Sequence, residues 1–140
     1  MKLKVKRLKN VSLPLRGSKG AAGWDLFSPG NFGLKPNELS IIPLGISLEI
    51  PENHFVSLVL RSSMGKKSII IPNAMGIIDE DYRGELNLIL LNLGKETISI
   101  QEGDRICQII LQKYSDIELE EVDTLSHTER NTSGIGSTGR

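Results

Sequence analysis

Long apolar runs, amphipathic helices, disulfide partners and an excess of either charge are all missing from these 140 residues. Each absence excludes something. No run of 18 apolar residues occurs, so no membrane-spanning helix is expected. The N-terminal "MKLKVKRLKN" is basic but has no apolar stretch after it, so no signal peptide is expected either. The single cysteine, Cys107, allows no intramolecular disulfide and fits a reducing compartment. Lys and Arg together number 17, as do Asp and Glu. Zero net charge argues against stable nucleic-acid binding, which needs a basic excess. A small anionic ligand, which needs only a few local cations, stays open. The expectation is a soluble cytoplasmic protein with no membrane partner; a nuclear location would suit a eukaryotic or viral chain.

No stretch carries a helical stripe of ten or more residues, and no internal repeat is visible. "RSSMGKKS" allows a turn or two, with Ser62 or Ser63 as N-cap.

Period-two alternation is abundant. Leu3 and Val5 oppose Lys2, Lys4 and Lys6; Ile46, Leu48 and Ile50 oppose Ser47 and Glu49; Leu86, Leu88 and Leu90 share a face, as do Ile98 and Ile100. "HFVSLVL" and "RICQIIL" are nearly continuous apolar runs, as expected of strands covered on both sides. Gly- and Pro-marked turns such as "SPGNFG", "KPNE", "PEN" and "NLGKE" separate these segments. The pattern predicts an all-β sandwich or barrel over residues 1–125. The last segment, "RNTSGIGSTGR", has too little apolar surface to order itself alone and reads as a mobile tail over 126–140.

Five polar stretches interrupt the apolar pattern. In "GIIDEDYRG", Asp79, Glu80 and Asp81 stand together. The plain reading is a charged hairpin turn with arms at 77–78 and 86–91 and Gly84 at the turn. The sharper one gives Asp79 a task. It follows Ile77 and Ile78, and a carboxylate at the end of a buried strand is poorly solvated, which raises its pKa and makes it a usable base. Glu80 and Asp81 are expected to point to solvent. "RSSMGKKS" is a polar loop or an anion site built from hydroxyls and Arg61. In "AAGWDLFSP", Asp25 follows Gly23 and is a solvated acid or a carboxylate for magnesium or water. In "GDRICQII", Gln108 alternates with Ile106 and Ile110 and is a strand-end amide or a phosphate donor; Cys107 reads as core. "SGIGSTGR" lacks the lysine of a P-loop. It is a linker or a wrap around a polyphosphate.

Taken in order, "AAGWDLFS", "RSSMG", "GIIDEDYRGEL", "GDRICQII" and "RNTSGIGSTG" resemble the five motifs of the trimeric dUTPase family (deoxyuridine 5′-triphosphate nucleotidohydrolase), from about Ala21 to Gly139. The resemblance implies a jelly-roll-like β-barrel and a homotrimer. One subunit would supply the third motif to each site, a second the first, second and fourth, and the third its C-terminal tail. The implied reaction is hydrolysis of dUTP to dUMP and pyrophosphate at the α-phosphorus, with Mg²⁺ held mainly by the triphosphate. That reaction keeps uracil out of DNA and supplies dUMP for dTMP synthesis.

Carried over residue by residue, Asp79 matches the general base and Tyr82 the ring that leaves no room for a 2′-hydroxyl. Asn73, Gly76 and Ile78 match the uracil-reading edge. Ser62 matches the hydroxyl near the bridging oxygen of the scissile bond. Arg61, Ser63 and Gln108 match phosphate contacts, and Asp25 the acid near the metal's water shell. Arg130, Gly136, Ser137 and Thr138 match the γ-phosphate clamp of the tail, with Arg130 acting like an arginine finger. Ile135 stands where the family usually has a phenylalanine that stacks on uracil. Asn131 and Ser133 stand at two usual glycines. Two alternatives remain: a nucleotide-dependent binding or regulatory protein with a weakened tail, and a dCTP deaminase, which "DEDYRG" disfavours.

Overall fold

The computed structural model describes residues 1–135. They form eleven strands: β1 (Lys4–Arg7), β2 (Trp24–Phe27), β3 (Phe32–Leu34), β4 (Leu39–Pro43), β5 (Ile46–Glu49), β6 (His54–Leu60), β7 (Ile69–Ile70), β8 (Gly76–Ile78), β9 (Asn87–Asn92), β10 (Ile98–Ile100) and β11 (Arg105–Lys113). One helix, α1 (Ser62–Gly65), is a single turn. No helix among the described residues is long and apolar enough to cross a membrane.

The two continuous apolar runs lie side by side. β11 and β6 are the centre of the sheet β2–β11–β6–β8, paired antiparallel from Cys107↔Leu60 to Lys113↔His54. A second sheet has the order β4–β9–β7, and two ribbons, β1–β5 and β3–β10, complete the set. Alternation explains the second sheet: Leu86, Leu88 and Leu90 are fully buried. One apolar cluster draws on all four sheets. On β5 the strict alternation fails, because Ser47 is buried as well as Ile46 and Leu48; β1 lies against this strand, with Lys6 opposite Ser47.

Two expectations need correcting. Residues 76–78 and 87–92 do not pair as a hairpin. β8 pairs with β6 and β9 with β4 and β7, so the acidic segment crosses between two sheets. The N-cap of α1 is Arg61, with no side-chain cap bond, so neither Ser62 nor Ser63 caps it.

The register of β6 sets the distance between the two main polar regions. Arg61 comes directly after its C-terminal end. Near its N-terminal end Val56 pairs with Ile78, which places Asp79 level with Phe55. Six residue rises of about 3.3 Å separate Phe55 from Arg61, so the two polar regions lie roughly 20 Å apart along one strand. Beyond β11 the chain carries no further strand among the described residues, and Ile117, Leu119, Val122 and Leu125 are exposed.

Candidate active site

At the C-terminal end of β6, three strands bring charge together. Asp25 on β2 sits opposite Gln108 on β11 and is buried. Its Oδ1 pairs with the Arg61 guanidinium, 3.1 Å from Nε, and its Oδ2 accepts from Arg105 Nη1 at 3.3 Å. Arg61 Nη1 also donates to the Arg105 carbonyl at 3.3 Å. A buried carboxylate needs such partners, because an unpaired charge out of water is costly. The arrangement fixes Arg61 at the exit of β6, next to the exposed Ser62 and Ser63. It also explains Gly23. A Cβ there would fall 2.2 Å from Gln108 Oε1 and 3.0 Å from its Cδ, so glycine leaves room for the amide.

A bulge interrupts β11: register with β2 slips between Arg105 and Cys107. Ile106 and Cys107 are both buried, in keeping with Cys107 as core in a run covered on both sides. Gln108 stays half-buried, alternating with Ile110. Burial pushes the Cys107 thiol far above its ordinary value, and the Asp25 charge adds to this. Such a thiol is no nucleophile.

The other region lies where β8 ends. Asp79, Tyr82, Ile77, Ile78, Glu85 and Asn87 line a cleft of about 170 Å³. Tyr82 N–H donates to the Asp79 carbonyl at 3.2 Å, which closes a turn. Tyr82 Oη donates to the Glu85 carbonyl at 3.0 Å and holds the ring in place. The ring lies over Gly84, where a Cβ would meet Tyr82 Oη at 2.3 Å. Glu85 is anchored in turn: its Oε1 accepts from Gly45 N–H at 2.8 Å and pairs with the Lys9 ammonium at 3.2 Å. Gly45 has φ +73°, a conformation that favours glycine. Asn73 Nδ2 donates to the Met75 carbonyl at 3.2 Å, in a turn where Ala74 has φ +65°. Gly76 pairs with Leu58, whose Cβ would lie 3.2 Å from an added side chain.

Asp79 itself departs from expectation. It is exposed, and Ile77 two residues earlier is 53% exposed, so the strand end is not half-buried within one chain. Among the described residues no hydrogen bond or ion pair engages its carboxylate. Glu80 departs too. It is half-buried and bonded rather than turned to solvent, with Oε2 accepting from Asn53 N–H at 2.6 Å.

The tail residues stand apart from both regions. Arg130 is exposed and its Nε donates to the Ser133 carbonyl at 3.1 Å, within the tail. Ile135 is fully exposed. Gly136, Ser137 and Thr138 lie outside the described residues. The structure therefore brings Asp25, Arg61 and Gln108 together, with Ser62 and Ser63 next in the chain, and separately Asp79, Tyr82 and Ile78; Gly76 lies two residues back on β8 and Asn73 in the turn before it, toward the Arg61 end of β6. Sequence reasoning missed Arg105, Glu85 and the bonds of Glu80. Arg105 stands in "GDRICQII" at the edge of the slip in register, which is invisible before β11 and β2 are aligned.

As for a metal, no three His, Cys, Asp or Glu side chains gather into a metal-holding group among the described residues. Both Asp25 oxygens already face guanidinium groups, yet each keeps a lone pair for a water. This donor set suits an ion that arrives on an anionic ligand and meets the protein through water.

The dUTPase family model matches residues 9–139. The deoxyuridine 5′-triphosphate nucleotidohydrolase of Finegoldia magna is 43% identical over 142 residues, covering 99% of both chains. The chain belongs to the dUTPase family. Structural likeness agrees with that membership. A dUTPase of Staphylococcus bacteriophage 80alpha bound to dUPNHPP superposes with TM-score 0.93 at 27% identity, over 99% of both chains. A dUTPase from Staphylococcus aureus phage phi11, described with a structural Mg(II) ion, superposes with TM-score 0.83 at 26% identity over 89% of this chain and 98% of that one. The expected all-β, jelly-roll-like fold stands with these dUTPase neighbours.

Proposed function

We propose that this dUTPase family member hydrolyses dUTP to dUMP and pyrophosphate in sites shared among three copies of the chain, with Asp79 as general base. One observation carries the shared site. Asp79 and Arg61 lie roughly 20 Å apart along β6. A base and a phosphate clamp so far apart cannot serve one phosphorus atom within one chain, so Asp79 of one copy would face Arg61 of another.

The charge pattern supports association of copies. β1 is basic, through Lys4, Lys6 and Arg7, and the nearby cleft of about 620 Å³ is apolar, lined by Leu3, Val5, Trp24, Ile109 and Leu111 among others. The segment after β11 is complementary: Asp116, Glu118, Glu120 and Glu121 alternate with the exposed Ile117, Leu119 and Val122.

In the proposed step Asp79 takes a proton from a water, and the oxygen attacks the α-phosphorus. The bond from the α-phosphorus to the bridging oxygen breaks, and pyrophosphate leaves. The incoming subunit surfaces would cover Asp79, whose carboxylate is exposed in the single chain, and exclude bulk water. Ser62 donates to the bridging oxygen, while Arg61, Ser63 and Gln108 hold phosphate oxygens. The buried Asp25 and the Arg105 side chain keep Arg61 aimed. Tyr82, locked over Gly84, blocks a 2′-hydroxyl. Asn73 and the backbone of Gly76 and Ile78 read uracil. A site built on such pairs rejects a mismatched base by roughly 10⁴-fold. Arg130 and residues 136–138 of a third copy close on the γ-phosphate, and Ile135 covers the base. Asp25 would hold a water in the shell of a Mg²⁺ carried by the triphosphate, and that ion, when bound, would supply charge neutralisation on the phosphates.

The direct test is pyrophosphate release with dUTP, dCTP, dTTP or UTP as sole nucleotide in the presence of Mg²⁺. The proposal expects turnover of dUTP alone. Turnover of dCTP with ammonia release, or none of dUTP, would defeat it.

A further inference from the structure

Asp79 stands one residue beyond the last rung of the β6–β8 ladder, Val56↔Ile78. A chain tied on one side only frays at its end. Here a second tie follows at once. Glu80 Oε2 accepts from Asn53 N–H at 2.6 Å and from Tyr114 Oη at 2.9 Å. Tyr114 N–H donates to the Asn53 carbonyl at 3.1 Å. The three bonds close a ring between the β5–β6 turn, the end of β11 and the segment that carries Asp79. Asn53 takes φ +60° to enter it, a conformation asparagine tolerates better than most residues. Arg83 adds a main-chain tie, donating from Nη1 to the carbonyls of Glu80 and Tyr82 at 2.5 and 3.0 Å. On the same side, Phe55, Ile77, Asp79, Glu80, Asp81 and Tyr114 line a cleft of about 580 Å³.

We propose that Glu80 and Tyr114 are positioning residues for Asp79: their hydrogen bond fixes the main chain directly after the base, as the ladder fixes it directly before. The inference rests on Asp79 being the base. The Glu80 carboxylate holds the Tyr114 phenol above its ordinary value, so the hydroxyl remains a donor through the neutral range. Both groups are solvent-accessible, so the bond contributes little to stability; its effect falls on the aim of the neighbouring carboxylate, to which rates are sensitive.

The test compares full-length wild type with Asp79→Asn, Tyr114→Phe, Glu80→Ala, Glu80→Gln and the Glu80→Ala/Tyr114→Phe double variant. It measures kcat and KM for dUTP, and calorimetric stoichiometry and affinity for α,β-imido-dUTP. Tyr114→Phe should lower kcat about three- to tenfold, the range of one lost hydrogen bond, and Glu80→Ala, which loses two, at least as much. KM and analogue stoichiometry should hold. The double variant should be no slower than Glu80→Ala, and Glu80→Gln, whose amide oxygen still accepts both bonds, should recover most of the loss. Wild-type kcat in Tyr114→Phe beside an inactive Asp79→Asn would overturn the latch and leave the base intact. A fall in analogue stoichiometry matching the fall in kcat would overturn it too, since that marks lost fold rather than lost aim. An active Asp79→Asn would remove the base and the latch together.

Discussion

Arg61 Nε meets Asp25 Oδ1 at 3.1 Å, and this pair ties the exit of β6 to the buried face of β2. Arg105 completes the arrangement from the other carboxylate oxygen. Asp25→Ala leaves two guanidinium groups without their partner. Both guanidinium groups keep contact with solvent, so the unfolding free energy should fall by only about 1 kcal/mol, the order of one lost hydrogen bond. KM for dUTP should rise in parallel, because Arg61 loses its aim. Urea denaturation and steady-state kinetics check the two parts; unchanged stability would mean that water replaces the carboxylate.

Asp79→Asn keeps the shape of the segment and removes the proton acceptor. The expected loss in kcat is at least about 10²- to 10⁴-fold, with binding of α,β-imido-dUTP retained. Calorimetry alongside turnover separates the two effects.

Gly84→Ala drives a methyl group into Tyr82, whose Oη and Cζ would lie 2.3 and 2.4 Å away. The ring must move and its bond to the Glu85 carbonyl breaks. Discrimination between dUTP and UTP should drop by about tenfold, consistent with a wall displaced by roughly an ångström. The ratio of kcat/KM for the two nucleotides reports it.

Ile135→Phe restores a ring to the tail. Base stacking on an aromatic side chain is worth roughly 1–3 kcal/mol, so KM should fall or kcat rise. No change would mean that another group already covers the base.

Cys107 provides a check on the core. Its thiol is pushed up by burial from an ordinary value of 9.0. The raised group favours the folded state at and below pH 9. Above that, the unfolded chain ionises first and the contribution fades, by about 1.4 kcal/mol per pH unit. Cys107→Ala should lack this component of the alkaline stability loss. Native protein at pH 8 should resist thiol reagents that label the unfolded chain.

Much of the architecture was legible from residue order, though unevenly. Local alternation carried the strands: Leu86, Leu88 and Leu90 share a buried face as their spacing requires. The long apolar runs marked the central pair β6 and β11 for the same local reason. Pairing was not legible, because adjacency in sequence suggested a hairpin across Asp79–Gly84 while the ladders send β8 and β9 to different sheets. The bulge between Arg105 and Cys107 shifts β11 against β2 with no proline or glycine at that point to announce it. Asp79 was expected to be half-buried because isoleucines precede it. Ile77 is exposed within one chain, and the proposed shared site would leave its walls open until copies meet. The bonds of Glu80 depend on Asn53 and Tyr114, which are distant in sequence and meet only through antiparallel pairing.

Whether Asp79 of one copy works with Arg61 of another is decided by mixing two inactive variants. Asp79→Asn and Arg61→Ala are each purified, shown to be inactive, unfolded together in equal amounts and refolded. With random assembly of three copies, about a quarter of the sites would pair an intact Asp79 with an intact Arg61. A site shared between copies predicts recovery of pyrophosphate release toward that fraction of wild-type activity. Mixed, reassembled protein that stays as inactive as its two components would contradict it.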